Sequence, residues 1–267
     1  MLISGRRKGG GGLSARTVHH AHRVLRQALQ QAVKWNRITR NPADMVKPPK
    51  VERTKPLVLT ADEAARLLEA IKHSRVYWPT MLALATGMRR GEMCALRWRS
   101  VDFDRGTVHV IESLEQTREG IRFKPPKSGR TRAVTLPAFA AAELRRLKVA
   151  QAQELLSLGL RQTAEALVSG RADGQPHRPL SLTYEFARLI RRVKDVPRVR
   201  FHDLRHSHAT VLLTAGVHPK VAQERLGHSS ISVTLDLYSH IVGSLQDEAA
   251  LRVDDAIGNA INKAAKG

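Results

Sequence analysis

Residues 101–136 break the helical rhythm of the rest of the chain. The segments 107–111 (TVHVI) and 131–136 (TRAVTL) have strand-like composition, and a Pro-Lys-Ser-Gly turn at 126–129 precedes the second. On either side the apolar residues keep helical spacing. Before the block, Val18, Ala21, Leu25, Ala28, Leu29, Ala32 and Val33 predict a helix from the N-cap Ser14 to about Asn36. The run Thr60-Ala61-Asp62-Glu63 is a capping box that opens a helix to about His73. Further helices are expected over 78–86 and, after the interruption at Gly87, over 92–96. Past Pro137 they are expected over 138–167, 180–194, 202–214, 219–226, 231–237 and 245–262, with a loop at 170–179. The expected fold is therefore mainly α with a small antiparallel β-sheet, an α+β arrangement.

The chain is expected to divide into a flexible N-terminus (1–12), a helical segment (13–46), a proline-rich linker (47–58), a large domain (59–245) and a C-terminal helix (246–267). At 267 residues it can bury a real core. Lys and Arg number 45 against 24 Asp and Glu, a net charge of +21. That excess favours a polyanionic partner, nucleic acid first, although a ribosomal-type or simply soluble basic protein has the same balance. Cys94 is the only cysteine, which excludes an intrachain disulfide and a cysteine-based zinc site. No apolar run reaches membrane-spanning length and the N-terminus does not read as a signal peptide, so a bacterial cytoplasmic location is expected.

The run RFHDLRHSHAT (200–210) admits two chemical readings. His202 and His206, four apart, imitate a helical zinc pattern. Asp203 stands where that pattern needs a Glu, however, and Arg205 would bring positive charge beside a cation. Alternatively His202 and Arg205, three apart, share a helical face and grip a phosphate, the guanidinium matching two oxygens. Alone, the pair reads most simply as a surface His and Arg. Four further elements accompany it: Arg89 with Glu92 in ATGMRRGE (85–92), Lys127 in PKSGR (126–130), His228 in LGHS (226–229) and Tyr238 in TLDLYSH (234–240). Each has an ordinary structural reading: a salt-bridged helix start, a solvated turn, a capping His, a core Tyr.

In this order, the elements resemble the pattern of Arg, Lys, His-x-x-Arg, His and Tyr that marks the tyrosine recombinase (phage integrase) family. The resemblance covers residues 56–245. It implies a site-specific DNA recombinase that cleaves and rejoins DNA through a 3′-phosphotyrosyl intermediate. Arg89 and Arg205 would bind the scissile phosphate, with Glu92 as structural support. Lys127 would be general acid for the leaving 5′ oxygen, His202 would assist proton transfer, His228 would hydrogen-bond the phosphate and Tyr238 would be the nucleophile. Neither metal nor other cofactor is expected. The implied partners are double-stranded DNA, further copies of the chain as a homotetramer on that DNA, and accessory DNA-bending or directionality factors.

Residues 13–46 resemble the latter half of the family's core-binding domain. That domain usually has further helices before this point, and a chain starting at Met1 is expected to lack them, as a fragment, a shortened reading frame or a minimal variant. The alternative function is accordingly a DNA-binding remnant that holds or cleaves its site without completing recombination. The C-terminal helix docks on a neighbouring subunit or packs on its own domain. The basic runs RRLK (145–148) and RLIRR (188–192) are DNA-contact candidates or solvated helix faces.

Overall fold

The computed structural model describes residues 12–51, 57–127, 129–171, 173–238, 250–251 and 253–258, with residues 236–238 and 258 described by their backbone alone. The chain forms two compact units, Met1–Lys55 and Pro56–Gly267.

The first unit is built on α1 (Ala15–Lys34), where the Ser14 side chain accepts from the Thr17 amide as the N-cap. A short 3-10 turn, Pro42–Met45, packs back on α1. The Asn41 side chain donates to the Arg26 carbonyl, and Arg26 pairs with Asp44 at 2.6 Å.

The second unit is mainly helical. The capping box at α2 (Ala61–Ala70) forms: the Glu63 amide donates to Thr60 Oγ1 and the Thr60 amide to Glu63 Oε2. α2 stops at Ala70, short of His73, because i→i+3 bonds from the Lys72 and Ser74 amides tighten the chain there. α3 (Tyr77–Thr86), the most apolar helix, is buried on nearly every side and packs against α7 (Asp203–Thr214) and α5 (Ala138–Ser157). α5 also ends before its expected limit at 167. Gly159 takes φ +72, the Leu160 amide turns back to the Leu155 carbonyl, and residues 164–168 instead bond the backbone of Leu96–Arg99.

After α4 (Arg90–Ala95) the chain forms two small antiparallel sheets. In one, β2 (Thr107–Val110) lies between β1 (Val101–Asp102) and β5 (Arg132–Thr135), with Val108 opposite Val134. This is the expected pairing of the two strand-like segments. The other is the hairpin of β3 (Ser113–Gln116) and β4 (Ile121–Lys124), not foreseen from the sequence. Lys127 thus sits on the connection from one sheet to the other. α6 (Pro179–Ile190), α8 (Pro219–Leu226) and α9 (Ile231–Tyr238) also belong to this unit. Of the expected 245–262 helix, residues 250–251 and 253–258 are helical and the rest lies outside the described residues. No helix among the described residues is long and apolar enough to cross a membrane.

Candidate functional site

α3 ends at Gly87, whose φ of +65 is the left-handed conformation of a helix C-cap. A Cβ here would lie 2.6 Å from both His208 Cδ2 and Leu226 Cδ2, so only glycine lets α3, α7 and α8 meet this closely. Three residues later α4 starts at Arg90, with Glu92 at its third position. The Glu92 carboxylate accepts the Arg89 amide at 2.9 Å and Arg89 Nη1 at 3.0 Å. It also accepts both terminal nitrogens of Arg132, at 3.1 and 2.7 Å. The Glu92 side chain is wholly buried. Burial pushes its pKa up, but hydrogen bonds and charge from Arg132 and Arg89 outweigh it and hold the carboxyl below the usual glutamate value.

The C-terminal end of α8 gathers the arginines. A helix end leaves carbonyls without intrahelical partners. Here three successive carbonyls each accept from a different guanidinium: Arg225 O from Arg132 Nε at 3.0 Å, Leu226 O from Arg205 Nη2 at 2.6 Å, and Gly227 O from Arg89 Nη2 at 2.7 Å. Arg205 Nη1 reaches the Gly87 carbonyl as well. Arg205 is buried, and burial together with the nearby Arg89 pushes its pKa down to about 9, which leaves it cationic at neutral pH. Just beyond, His228 Nδ1 is 2.9 Å from the Oγ1 of buried Thr234 on α9. Burial, then Arg205 and Arg89, push the His228 pKa down to about 3. The imidazole is therefore neutral near pH 7 and able to donate one hydrogen bond.

Arg89, Lys127 and His202 line one open groove of about 730 Å³, along with Arg90, Lys124 and Arg200. Lys127 is exposed on its turn, whereas Lys124 is paired with Glu115. Burial, followed by the charges of His206 and Arg205, pushes the His202 pKa down to about 4. Arg89 joins the groove to the inner cations, since its guanidinium and that of Arg205 bond adjacent carbonyls. The site is thus a concave, strongly cationic surface with fixed donors, suited to phosphate oxygens. The Tyr238 backbone ends α9, which packs on α7 and α8; its side chain lies outside the described residues.

The His202 and His206 rings meet edge-on at 5.2 Å. Asp203, between them, is instead held by the Arg200 amide and guanidinium. Among the described residues, no group of three His, Cys, Asp or Glu could hold a metal ion. His208 packs internally: Nδ1–H donates to Leu84 O at 2.7 Å, and Nε2 accepts from Arg225 Nε at 3.1 Å.

Sequence reasoning missed Arg132. Its signal was the alternation of β5, which puts residue 132 on the same face as buried Val134 and Leu136. A charged residue on a buried face needs a partner of opposite sign. Thr234 and Arg225 were missed too, and no pattern in the sequence marks them.

Comparison with known proteins identifies the family. The Phage integrase family model matches residues 57–243. The chain is 29% identical over 252 residues to the ICEBs1 integrase of Bacillus subtilis, covering 92% of this chain and 67% of that protein. It is 30% identical over 234 residues to tyrosine recombinase XerC of Xanthomonas axonopodis pv. citri, covering 86% and 69%. Among solved structures, the fold resembles the Tn1549 transposon integrase in complex with transposon right end DNA. The TM-score is 0.76 and the identity 24%, over 91% of this chain and 80% of that one. It also resembles a lambda integrase tetramer bound to a Holliday junction, with TM-score 0.59 and 21% identity, over 81% and 59%. With a family model covering residues 57–243, most of its length, this chain belongs to the phage integrase family, the tyrosine recombinases.

Proposed function

We propose that the protein is a site-specific DNA recombinase of the integrase type, moving a prophage or mobile element by cleaving and rejoining DNA through a 3′-phosphotyrosyl intermediate. The observation that carries this reading is the meeting of Arg89, Lys127 and His202 on one groove, with Arg89 and Arg205 donating to adjacent carbonyls, Gly227 and Leu226, just before His228. Attack on a phosphodiester builds negative charge on the non-bridging oxygens. Fixed donors placed there favour the transition state over the ground state. Arg89 and Arg205 supply guanidinium forks, and neutral His228 supplies a hydrogen bond. The Tyr238 phenolate attacks phosphorus, the bond to the 5′ oxygen breaks, and Lys127 protonates the leaving oxygen while His202 assists proton transfer. A phenol has a reference pKa of about 10, and the surrounding cations favour the phenolate. The phosphotyrosyl link retains the phosphodiester's energy. The 5′-hydroxyl of a second strand therefore reverses the step without ATP or metal.

In this reading residues 13–46 clamp the duplex, and four copies assemble on DNA with accessory bending or directionality factors. The work takes place in a bacterial cytoplasm. Most DNA affinity comes from the surplus Lys and Arg and falls steeply with salt.

The test is a duplex carrying the cognate site, nicked beside the cleavage position so that the released fragment diffuses away. An SDS-stable protein–DNA adduct formed in EDTA is expected. Site binding without an adduct makes the chain a DNA-binding form that does not recombine, and strict zinc dependence favours a hydrolase built on His202 and His206.

A further inference from the structure

We infer that Arg132 is a positioning residue of the cleavage site, closing a ring of contacts that fixes Arg89 and the loop bearing His228; the inference rests on the recombinase reading above. The ring can be followed atom by atom. Arg132, on β5, grips both Glu92 oxygens on α4. Glu92 holds Arg89 through its amide and Nη1. Arg89 Nη2 donates to Gly227 O, and two residues back Arg225 O accepts Arg132 Nε. Three elements remote in sequence are thereby tied at one point.

The fit is close on every side. A Cβ on Gly227 would meet Arg132 Nη1 at 3.0 Å and Cζ at 3.1 Å, so the guanidinium lies directly against this glycine. Only 10% of the Arg132 side chain is exposed, and Arg132 is not among the residues lining the groove. Its action on a phosphate is therefore indirect.

Charge gives Arg132 a second part to play. An isolated Arg89–Glu92 pair is neutral and attracts an anion weakly. Two guanidiniums on one carboxylate leave a net charge of about one positive unit at the groove wall, where a phosphate would sit. A lysine at 132 retains that charge. It does not match both carboxylate oxygens and the Arg225 carbonyl at once, because its ammonium lacks the planar fork.

The experiment is single-turnover cleavage of the nicked duplex by the full chain, with wild type, Arg132→Met and Arg132→Lys, alongside DNA affinity and thermal unfolding. At saturating DNA, the rate constant is expected to fall on the order of 10- to 100-fold in Arg132→Met and about 10-fold in Arg132→Lys, as for a small misplacement of a catalytic group. The Kd is expected to stay within about threefold, because one cation among many contributes little to DNA affinity. Combining Arg132→Met with Arg89→Lys is expected to cost less than the product of the single losses, since both act through one ring. If Arg132→Met fails to fold, Arg132→Lys carries the test. Wild-type cleavage by Arg132→Lys, or losses that multiply independently, would overturn the inference alone. An absent adduct in wild type would instead overturn the recombinase reading, and this inference with it.

Discussion

Arg132 and Glu92, forty positions apart, meet as a two-pronged ion pair of 3.1 and 2.7 Å in which the carboxylate side chain has no exposure to solvent. Removing one partner of such a pair strands the other's charge, which typically costs several kcal/mol. Glu92→Gln is expected to lower unfolding free energy by about 3 kcal/mol in urea titrations at pH 7. The folded pKa of Glu92 lies below its unfolded value of about 4.3. Its stabilisation is thus complete above that pH and is lost as pH falls through the folded pKa. Wild type is expected to lose more stability than Glu92→Gln on acidification below pH about 4.3; parallel curves would contradict the pairing.

Gly87→Ala combines a left-handed backbone with two 2.6 Å clashes, against His208 and Leu226. The expected loss is roughly 2–4 kcal/mol. Because the Gly87 carbonyl accepts from Arg205, cleavage is also expected to slow in whatever fraction stays folded. Unchanged unfolding and cleavage would refute the close approach.

Arg205 holds two backbone carbonyls while buried, so truncation to alanine mixes lost chemistry with lost stability. Arg205→Lys retains the charge and loses the fork. Adduct formation is expected to fall at least about 100-fold, the scale for losing an oxyanion donor. DNA affinity in gel-shift assays is expected to change less than about tenfold. Equal losses of binding and cleavage would argue against a role centred on one phosphate.

Burial, together with the cations Arg225 and Arg205, pushes the His208 pKa down to about 4 against the Leu84 hydrogen bond, and the ring is neutral when folded. The unfolded state, at about 6.5, binds a proton first. Between pH about 6.5 and 4, wild-type stability therefore falls as pH falls. For this residue the slope is about 1.4 kcal/mol per pH unit. His208→Gln is expected to flatten the stability–pH curve by about one proton in that window. An unchanged slope would mean that His208 is not the residue taking up that proton.

Local chemistry was the readable part of this fold. Ser14 and Thr60 cap helices because their hydroxyls accept free amides of the first turn, and both were evident from three or four residues. The β3–β4 hairpin was not, because of Ser113–Gln116 and Ile121–Lys124 only Leu114 is buried, and the other positions are partly or fully exposed, with Glu115 paired to Arg122 and Lys124. The helices α2 and α5 overran on paper because apolar spacing continues past the points where tertiary bonds turn the backbone. At the site, the family's spacing picked out Arg89, Lys127, His202, Arg205 and His228, yet it could not reveal that the end of α8 orients three arginines. That arrangement depends on strand register and on two glycines permitting close approach.

The most direct measurement is to trap the adduct on the nicked duplex in EDTA, digest it, and locate the nucleotide-bearing peptide by mass spectrometry. Attachment through the 3′ phosphate to Tyr238 is expected, and none with Tyr238→Phe. Attachment at another residue, or an adduct that persists in Tyr238→Phe, would contradict it.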